Sequence, residues 1–450
     1  MLVFVFDFLY NPPMMKRKIY ESLRVWKDSG AKKPLMVIGA RQIGKTYIIE
    51  EFCKAEFKKT IVINLAERPD VVTLFAQNTN IQEKAEMLEL MIGEKINNNG
   101  TALFFDEIQE SEDLIASLKY FSESRTDLKI ICAGSLLGVK LKRFKKSFPV
   151  GRVEMLDMSP MDFEEFLWAI GQGQLADEIR SCFEKNKMML QPLHEKCLKL
   201  FRTYLCSGGM PEAVQDMAEK DCDVLLFKKS ILTNIYHAYL YDMNKYINTP
   251  MESTRIEAIY NSIPSQIGNQ SKKFQYGKVT KSARARDYES ALDWLVSSRM
   301  VYVSKAVSLP EAPLAGFQNP EAFKLYVNDT GLLCSLLGMR LPDLMLDGEY
   351  QYKGVIVENY VASQFSALQI PLYYWREERR HEVDFLLDTA DGIIPVEVKS
   401  GKNKQSPSMN FYAGRFLPAY AIRITANNFG FVNNTKSIPL YAVFCLPALI

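Results

Sequence analysis

The residues best suited to phosphate chemistry stand between positions 39 and 47, where the sequence reads GARQIGKTY. Its two glycines would let backbone N–H groups turn toward an anion, because no Cβ stands in the way. Lys45 would reach the β- and γ-phosphates of ATP, and the Thr46 hydroxyl would bind Mg²⁺. An apolar run precedes the loop and a helical pattern follows it, as this motif requires. We therefore predict a nucleotide-binding loop made of Gly39, Ala40, Arg41, Gln42, Ile43, Gly44, Lys45, Thr46 and Tyr47.

Two adjacent acids, Asp106 and Glu107, close an apolar run that begins at Ala102. Such a run is typical of a buried parallel strand, and open α/β sheets bind ligands at the carboxyl ends of their strands. We predict that Asp106 holds the Mg²⁺ ion and that Glu107 polarises the attacking water. The alternative is a solvated pair of acids at a strand end. The phosphate-binding loop upstream favours the magnesium-binding role over this alternative.

A second group of acids stands near the end of the chain. Glu397 and Lys399 are two residues apart on the run PVEVKS, so they share one face of a strand. Asp384 lies before the turn signal Asp391-Gly392 and would reach the same place in a hairpin. Two carboxylates would bind Mg²⁺ or Mn²⁺, which polarises a phosphodiester, while Lys399 would stabilise the developing charge. The alternative is an ordinary hairpin with a Glu–Lys surface pair.

Composition limits the classes of protein to consider. The chain has 450 residues, is 48% hydrophobic and carries a net charge of +2, so we expect two to four globular domains and only local nucleic-acid patches. Its eight cysteines without Cys-x-x-Cys spacing and three histidines argue against a zinc site and for a reducing, cytoplasmic location. The apolar start is ten residues long and interrupted by Asp7, too short for a membrane span. Whether residues 1–13 belong to the native protein stays open.

The motifs GARQIGKT, LFFDEIQ, AGSLLG, SPMDFEEFL and YLCSGGMPEAV, in this order, resemble a bacterial and archaeal family of P-loop ATPases of the AAA superfamily. The resemblance begins near Lys16 and covers nearly all of the chain. It implies a C-terminal domain similar to PD-(D/E)xK nucleases, in which Asp384, Glu397 and the additional acid Glu358, beside Lys399, would hold a second Mg²⁺ or Mn²⁺. In ATPases of the AAA type a polar residue at the place of Ser135 senses the γ-phosphate; a small residue serving a turn is the alternative.

Further positive charges could also meet phosphates. Arg152 would reach a γ-phosphate in cis or across the interface of a homo-oligomer, although a surface arginine is the ordinary reading. The run from Lys140 to Lys146 holds five positive charges and is either a solvated face or a phosphate-backbone contact. A third basic group would lie at the turn and second helix of a helix-turn-helix, which either docks in a DNA groove or only packs between domains. This group comprises Lys272, Lys273, Lys278, Lys281, Arg284 and Arg286.

The expected fold class is α/β throughout. We predict a parallel-sheet P-loop ATPase domain over residues 16–170, a helical lid or connector over 171–250, a winged helix over 251–308 and a mixed α/β nuclease-like domain over 316–450. The predicted function is a Mg²⁺-dependent ATPase whose nucleotide state moves or gates the C-terminal module. An ATP-licensed, metal-dependent endonuclease acting on double-stranded DNA is one alternative. A nucleotide-switched DNA-binding regulator or scaffold with negligible turnover is the other, and Glu107 argues against it because a pure switch needs no general base.

Overall fold

The computed structural model describes residues 15–30, 33–96, 100–124, 128–142, 148–245, 250–268, 272–281, 283–346, 352–377, 381–401 and 406–450. One large hydrophobic cluster extends from Leu23 to Leu446 and takes in residues of all four predicted units. The predicted units therefore pack on one another through this shared cluster, while two smaller clusters lie within the amino-terminal unit and between Val307 and Ala421. Among the described residues, no helix is both long and apolar enough to cross a membrane.

The amino-terminal part is built on a five-stranded sheet whose neighbouring strands are all parallel. Its strands are β1 (Leu35–Ile38), β2 (Lys59–Asn64), β3 (Thr101–Asp106), β4 (Lys129–Gly134) and β5 (Glu154–Asp157), in the order β2-β3-β4-β1-β5. The surrounding helices are α1 (Ile19–Asp28), α2 (Lys45–Glu56), α3 (Pro69–Ala76), α4 (Ile81–Ile92), α5 (Glu112–Ser124) and α6 (Leu137–Lys142). The predicted parallel sheet is thus confirmed.

Burial on both faces explains why β1 is apolar without alternation. Leu35 and Val37 pack into the core cluster that includes α1 and α2. Met36 and Ile38 point to the other face and pack with α3 and α5. Parallel strands covered on both sides need an apolar residue at every position, and β1 carries the phosphate-binding loop at its carboxyl end.

The middle of the chain is helical, as predicted for residues 171–250. Its helices are α7 (Phe163–Ala169), α8 (Gly173–Glu184), α9 (Gln191–Ser207), α10 (Pro211–Glu219), α11 (Ser230–Lys245), α12 (Pro250–Ile267) and α13 (Ala285–Ser297). His194 lies in the interior and its Nδ1 is 2.7 Å from the Tyr441 hydroxyl, so it packs as predicted. The eight cysteines are all free thiols.

The last third of the chain holds two further sheets, of order β7-β6-β8-β9 and β10-β11-β12-β14-β13. Their strands are β6 (Val301–Val307), β7 (Gln318–Val327), β8 (Tyr373–Glu377), β9 (His381–Val383), β10 (Phe385–Thr389), β11 (Gly392–Val398), β12 (Ala421–Thr425), β13 (Gly430–Val432) and β14 (Thr435–Pro439). The helices are α14 (Thr330–Leu336), α15 (Leu341–Leu344), α16 (Lys353–Ala367) and α17 (Pro407–Phe416), and a 3₁₀ helix follows over Leu440–Leu449.

The strand pairing bears on the predicted winged helix. Helices α12 and α13 are followed by the antiparallel pair β6–β7, which is the order that such a module requires. However, β6 also pairs in parallel with β8, so its sheet continues into the predicted nuclease-like unit. The hydrogen bonds between β6 and β7 cross the predicted boundary between residues 308 and 316. The winged helix therefore stays an interpretation, and the two predicted units share a sheet.

A buried carboxylate ties the connector to the last third of the chain. The Asp329 side chain caps α14 by accepting a hydrogen bond from Leu332 N at 2.9 Å, and it accepts another from Gly209 N at 2.6 Å. A Cβ at Gly208 would lie 2.2 Å from Asp329 Oδ1, and one at Gly209 would lie 1.9 Å from the Met161 carbonyl oxygen. A side chain at either position would clash with these atoms, which explains the Gly-Gly pair between α9 and α10.

Candidate functional site

The predicted nucleotide-binding loop leaves β1 at Gly39 and enters α2 at Lys45. Gly39 lies close to the residue that follows β5, the strand next to β1. A Cβ at Gly39 would be 2.3 Å from the Met158 carbonyl oxygen. Gly44 caps α2 with a φ of +87°, a left-handed conformation that glycine adopts without strain. Both glycines are thus demanded by the backbone, and the amino terminus of the 12-residue helix α2 points into the loop.

The other loop residues differ in exposure. Ala40 and Ile43 are buried, and Gln42 takes a left-handed φ of +61°. Tyr47 stands in the first turn of α2 and is 44% exposed. The loop is therefore anchored by its apolar residues, while its backbone turns at Gln42 and again at Gly44.

Lys45 is buried within the loop. Its Nζ donates to the carbonyl oxygens of Gly39 at 3.0 Å and Ala40 at 2.7 Å. Burial lowers the pKa of Lys45 to about 8, and the nearby charges of Glu107 and Asp106 oppose that shift. An anion bound in the loop would favour the charged ammonium by the same Coulombic effect. The lysine is thus placed to pair with a phosphate.

Thr46 and Asp106 meet where the loop faces the end of β3. The Thr46 hydroxyl donates to Asp106 Oδ2 at 2.8 Å, and Asp106 Oδ1 accepts from Glu107 N at 3.0 Å. Burial is the main cause that raises the pKa of the Asp106 carboxyl above its usual range. A hydroxyl and a carboxylate side by side are oxygen donors of the kind that Mg²⁺ prefers, so these two residues fit a Mg²⁺ ion.

Glu107 adopts a left-handed φ of +49° directly after β3. For a residue with a side chain this conformation costs on the order of 1 kcal/mol or more, and such strain clusters at functional sites. The Glu107 carboxylate is held by Gln109, whose amide Nε2 donates to Oε2. Sequence reasoning missed Gln109, although it stands two residues after the predicted general base.

Gln109 also connects Glu107 to the neighbouring strand. It is 1% exposed, and a Cβ at Gly134 would lie 2.2 Å from its Oε1. Ser135 follows Gly134, which is the register partner of Ile38 at the end of β1. Ser135 is buried at this edge of the sheet, beside the loop, so its predicted sensing role is compatible with its position and stays a prediction.

Arg152 lies at the opposite edge of the sheet from the loop. It precedes β5, in which Glu154 is the register partner of Leu35, the first residue of β1. The loop follows the last residue of that four-residue strand, roughly 10 Å further along. Arg152 forms an ion pair with Glu123 at 3.1 Å and is more than half exposed. This placement disfavours the predicted role in cis; a role across a subunit interface stays a prediction. Residues 143–147 of the basic run lie outside the described residues.

Two arginines hold the loop from opposite sides, and sequence reasoning did not find either contact. Arg17 donates from Nη1 to the Ile43 carbonyl oxygen at 2.8 Å and from Nε to Glu165 at 3.1 Å. Arg41, within the loop, forms an ion pair with Asp242 of α11. Asp242 is 201 residues away in the chain, so no local pattern could have indicated it.

The C-terminal hairpin forms as predicted. Strands β10 and β11 pair in antiparallel fashion, with Thr389 opposite Gly392 across the turn. Lys399 Nζ lies 2.8 Å from Glu397 Oε1, which confirms that these side chains share a face. Asp384 stands at a bend between β9 and β10, and its Oδ2 accepts from Val398 N at 2.9 Å.

Glu358 is buried on α16 and is surrounded by donors. Its Oε1 accepts from the Tyr326 hydroxyl at 2.7 Å and from Lys324 Nζ at 3.1 Å. Its Oε2 accepts from Lys272 Nζ at 2.5 Å, and Lys272 also lies 3.2 Å from Asp384 Oδ1. Burial disfavours ionisation of Glu358, but Lys272 and Lys324 outweigh it and lower the pKa of Glu358 to about 2.

The structure thus brings Glu358 and Asp384 together around a lysine. The part of the chain that is described contains no group of three or more His, Cys, Asp or Glu residues arranged to hold a metal ion. A DNA-facing surface was one of the two alternatives for Lys272, and its ammonium instead points inward to two carboxylates. The exposed members of the same basic group are Lys278, Lys281, Arg284 and Arg286, and Lys273 is half-buried.

Residues 31–167 match the family of AAA domains. The amino-terminal domain is a P-loop domain of the AAA type. Residues 198–343 and 353–443 of the chain match two families described only as domains of unknown function, DUF8612 and DUF4143. Neither match supports or excludes a nuclease-like C-terminal domain. The comparison with curated protein sequences found no significant match.

Several solved structures overlap with this chain at low similarity. They include the Walker-type ATPase PABY2304 of Pyrococcus abyssi, at 14% identity over 72% of this chain and 96% of that one, with a TM-score of 0.46. The ORC2 protein of Aeropyrum pernix overlaps at 14% identity over 75% and 96%, with a TM-score of 0.34. The RuvB Holliday junction branch migration motor of Thermotoga maritima overlaps at 14% identity over 72% and 94%, with a TM-score of 0.29. At TM-scores below 0.5 these overlaps do not bear on function.

Proposed function

We propose that the protein is a Mg²⁺-dependent ATPase. The observation that carries this proposal is the meeting of Lys45, the Thr46–Asp106 pair and Glu107 at one edge of the parallel sheet. These residues provide a phosphate-binding cation, two oxygen donors for a metal ion, and a carboxylate for the attacking water. A protein that only binds nucleotide as a switch would not need the last of these.

Each residue has a distinct task in this proposal. Lys45 would neutralise charge on the β- and γ-phosphates, while backbone N–H groups of the loop hold them in place. When bound to Thr46 and Asp106, Mg²⁺ would offset the negative charge of the transferred phosphoryl group. Gln109 holds Glu107 Oε2, which leaves Glu107 Oε1 to accept a proton from water. Gln109 is thus a positioning residue for the general base.

Coupling to the rest of the chain would pass through α11. The Arg41–Asp242 ion pair joins this helix to the loop, and the Tyr239 hydroxyl donates to the Arg41 carbonyl oxygen at 3.4 Å. Because Arg41 carries one charge, a phosphate would compete with Asp242 for it. On α11, the Tyr236 hydroxyl donates to Asn261 Oδ1 of α12 at 2.8 Å. A shift of α11 would therefore be transmitted to α12.

Lys45→Ala is expected to weaken ATP binding by about a hundredfold or more, because it removes a charge-assisted contact to the phosphates. The measurement is calorimetric titration of the full-length protein with a non-hydrolysable ATP analogue and Mg²⁺. Lys54→Ala is the matched control, since Lys54 lies on the same helix with its side chain 62% exposed and pairs with Glu50 and Glu51 of that helix. If Lys45→Ala binds as tightly as the wild type, the loop is not the nucleotide site.

A metal-dependent DNA endonuclease in the C-terminal part is the second candidate. It is favoured by Glu397, which is 5% exposed and whose Oε2 has no hydrogen-bond partner among the described residues. A buried carboxylate oxygen without a partner is costly unless a cation completes it. Double-stranded DNA would be the substrate, with phosphate contacts from the exposed cations Lys278, Lys281, Arg284 and Arg286.

Nicking of supercoiled plasmid in Mn²⁺ tests this second function. We expect the wild type to nick the plasmid and Asp384→Asn to lose at least about 99% of that activity, since a first ligand of the metal would be weakened. Asp388→Asn changes an exposed acid on β10, the strand that follows Asp384, and should nick normally. Absence of nicking by the wild type, with and without ATP, would rule out the endonuclease and leave the ATPase proposal untouched.

A further inference from the structure

The three C-terminal carboxylates divide their oxygens in the same way. One oxygen of each is bound by a group other than Lys272: Glu358 Oε1 by Tyr326 and Lys324, Asp384 Oδ2 by Val398 N, and Glu397 Oε1 by Lys399. The second oxygens of Glu358 and Asp384 are both held by Lys272, and that of Glu397 has no partner among the described residues. The oxygens left for a metal ion are thus the ones that Lys272 holds or that no group holds.

Lys272 reaches this position from outside the sheet. It lies beyond the end of α12, at Ile267, and its backbone takes a left-handed φ of +46°. Its side chain is only 30% exposed, and its ammonium is 2.5 Å from one carboxylate and 3.2 Å from another. The two acids lie 86 and 112 residues away in sequence. Lys272 thus combines an unfavourable backbone conformation with a side chain that bridges two separate elements.

We propose that Lys272 is a tethered cation that occupies the place of a divalent metal ion, and that a metal binds Glu358, Asp384 and Glu397 only when Lys272 withdraws. The inference concerns the same carboxylates as the second proposed function but requires neither DNA cleavage nor ATP turnover. With Lys272 in place, its ammonium neutralises Glu358 and Asp384. With Lys272 withdrawn, Glu358 Oε2 and Asp384 Oδ1 become available to a hard cation, and Glu397 Oε2, which has no partner among the described residues, would complete the set.

Mn²⁺ titration of full-length variants tests the competition. An Asp106→Asn background removes an acid of the amino-terminal site, so that Mn²⁺ reports on the C-terminal one. Lys272→Met is expected to bind Mn²⁺ at least about tenfold more tightly than its parent, because coupling between close buried charges commonly exceeds a factor of ten. Lys273→Met, the adjacent lysine, should not change the affinity. Adding Glu397→Gln to Lys272→Met should reverse the gain. Equal Mn²⁺ affinity with and without Lys272, in folded protein, would overturn the proposal.

Chemical labelling provides a second measurement that does not depend on a folded variant. In the wild type, saturating Mn²⁺ should raise the rate at which acetic anhydride acetylates Lys272 by several-fold, since the released ammonium is exposed and unpaired. Lys273 in the same peptide should keep its rate, read by mass spectrometry. If the rate at Lys272 does not change over the full range of Mn²⁺ concentrations, the lysine is a fixed structural counter-ion and the proposal is wrong. Displacement without plasmid nicking would support this inference while ruling out the nuclease.

Discussion

Glu107→Gln is expected to lower ATP turnover by about a hundredfold or more while leaving ATP binding intact. The expectation rests on removal of a general base, a contribution that is typically worth a factor of 10²–10⁴. Glutamine has nearly the same shape, so the contact with Gln109 and the left-handed backbone at residue 107 need not change. Steady-state release of phosphate measures the first quantity and calorimetric titration with ATP the second.

Glu112→Gln is the control for this experiment. Glu112 opens α5 a few residues after the general base, and its substitution removes the same charge from the same region of the domain. Its turnover should match that of the wild type. If Glu107→Gln hydrolyses ATP as fast as the wild type, Glu107 is not the base, and the alternative of a nucleotide switch gains support.

Glu358→Gln is expected to destabilise the protein by about 3–5 kcal/mol, the usual result of removing one partner from a buried ion pair. It deprives Lys272 of its closest carboxylate and leaves Lys324, whose side chain is 0% exposed, with Glu382 as its remaining ion-pair partner among the described residues. With an entropy of unfolding of roughly 2.1 cal/mol/K per residue, a chain of this size should lose about 3–5 °C in its thermal midpoint. Asp388→Asn on β10, which is exposed, should leave the midpoint unchanged.

The same variant predicts a dependence on pH. The pKa of Glu358 is lowered to about 2 in the folded protein, against about 4.3 for an unperturbed glutamate. A lowered carboxyl pKa adds stability that is fully present above the unfolded pKa and is lost as pH falls toward the folded one. The difference in midpoint between wild type and Glu358→Gln should therefore be largest near neutral pH and shrink below about pH 4. A difference that grows as pH falls would contradict the assigned charge state.

The features that the sequence predicted correctly depend on residues close together in the chain. The nucleotide-binding loop consists of nine consecutive residues that follow a strand and run into a helix, and Gly44 has the left-handed backbone conformation that glycine adopts without strain. The β10–β11 hairpin and the shared face of Glu397 and Lys399 follow from two-residue alternation and a local turn. Such patterns can be recognised because their geometry is set within one or two turns of the backbone.

The contacts that sequence reasoning missed join residues far apart. Asp242 meets Arg41 across 201 positions, and Lys272 meets Asp384 across 112. A lysine within a basic segment looks solvated in the sequence, because only its neighbours along the chain are visible. Lys324 was passed over for the same reason, since an isolated charge in a strand gives no sign of a partner on a distant helix. The charge balance of the C-terminal site could therefore not be derived without the fold.

The hydrogen bond between Gly209 N and Asp329 restricts the order in which the protein can fold as it is synthesised. Gly209 N finds its acceptor 120 residues later in the chain, and Phe163 N donates to Gln364 Oε1 at 2.9 Å, 201 residues later. The residues before Asp329 are synthesised before that carboxylate exists, so the turn after α9 at first lacks its partner. A protein truncated before residue 329 would keep its nucleotide-binding loop in sequence but would leave Gly209 N without this acceptor. The last third of the chain thus supplies acceptors that the earlier parts need to complete their hydrogen bonds.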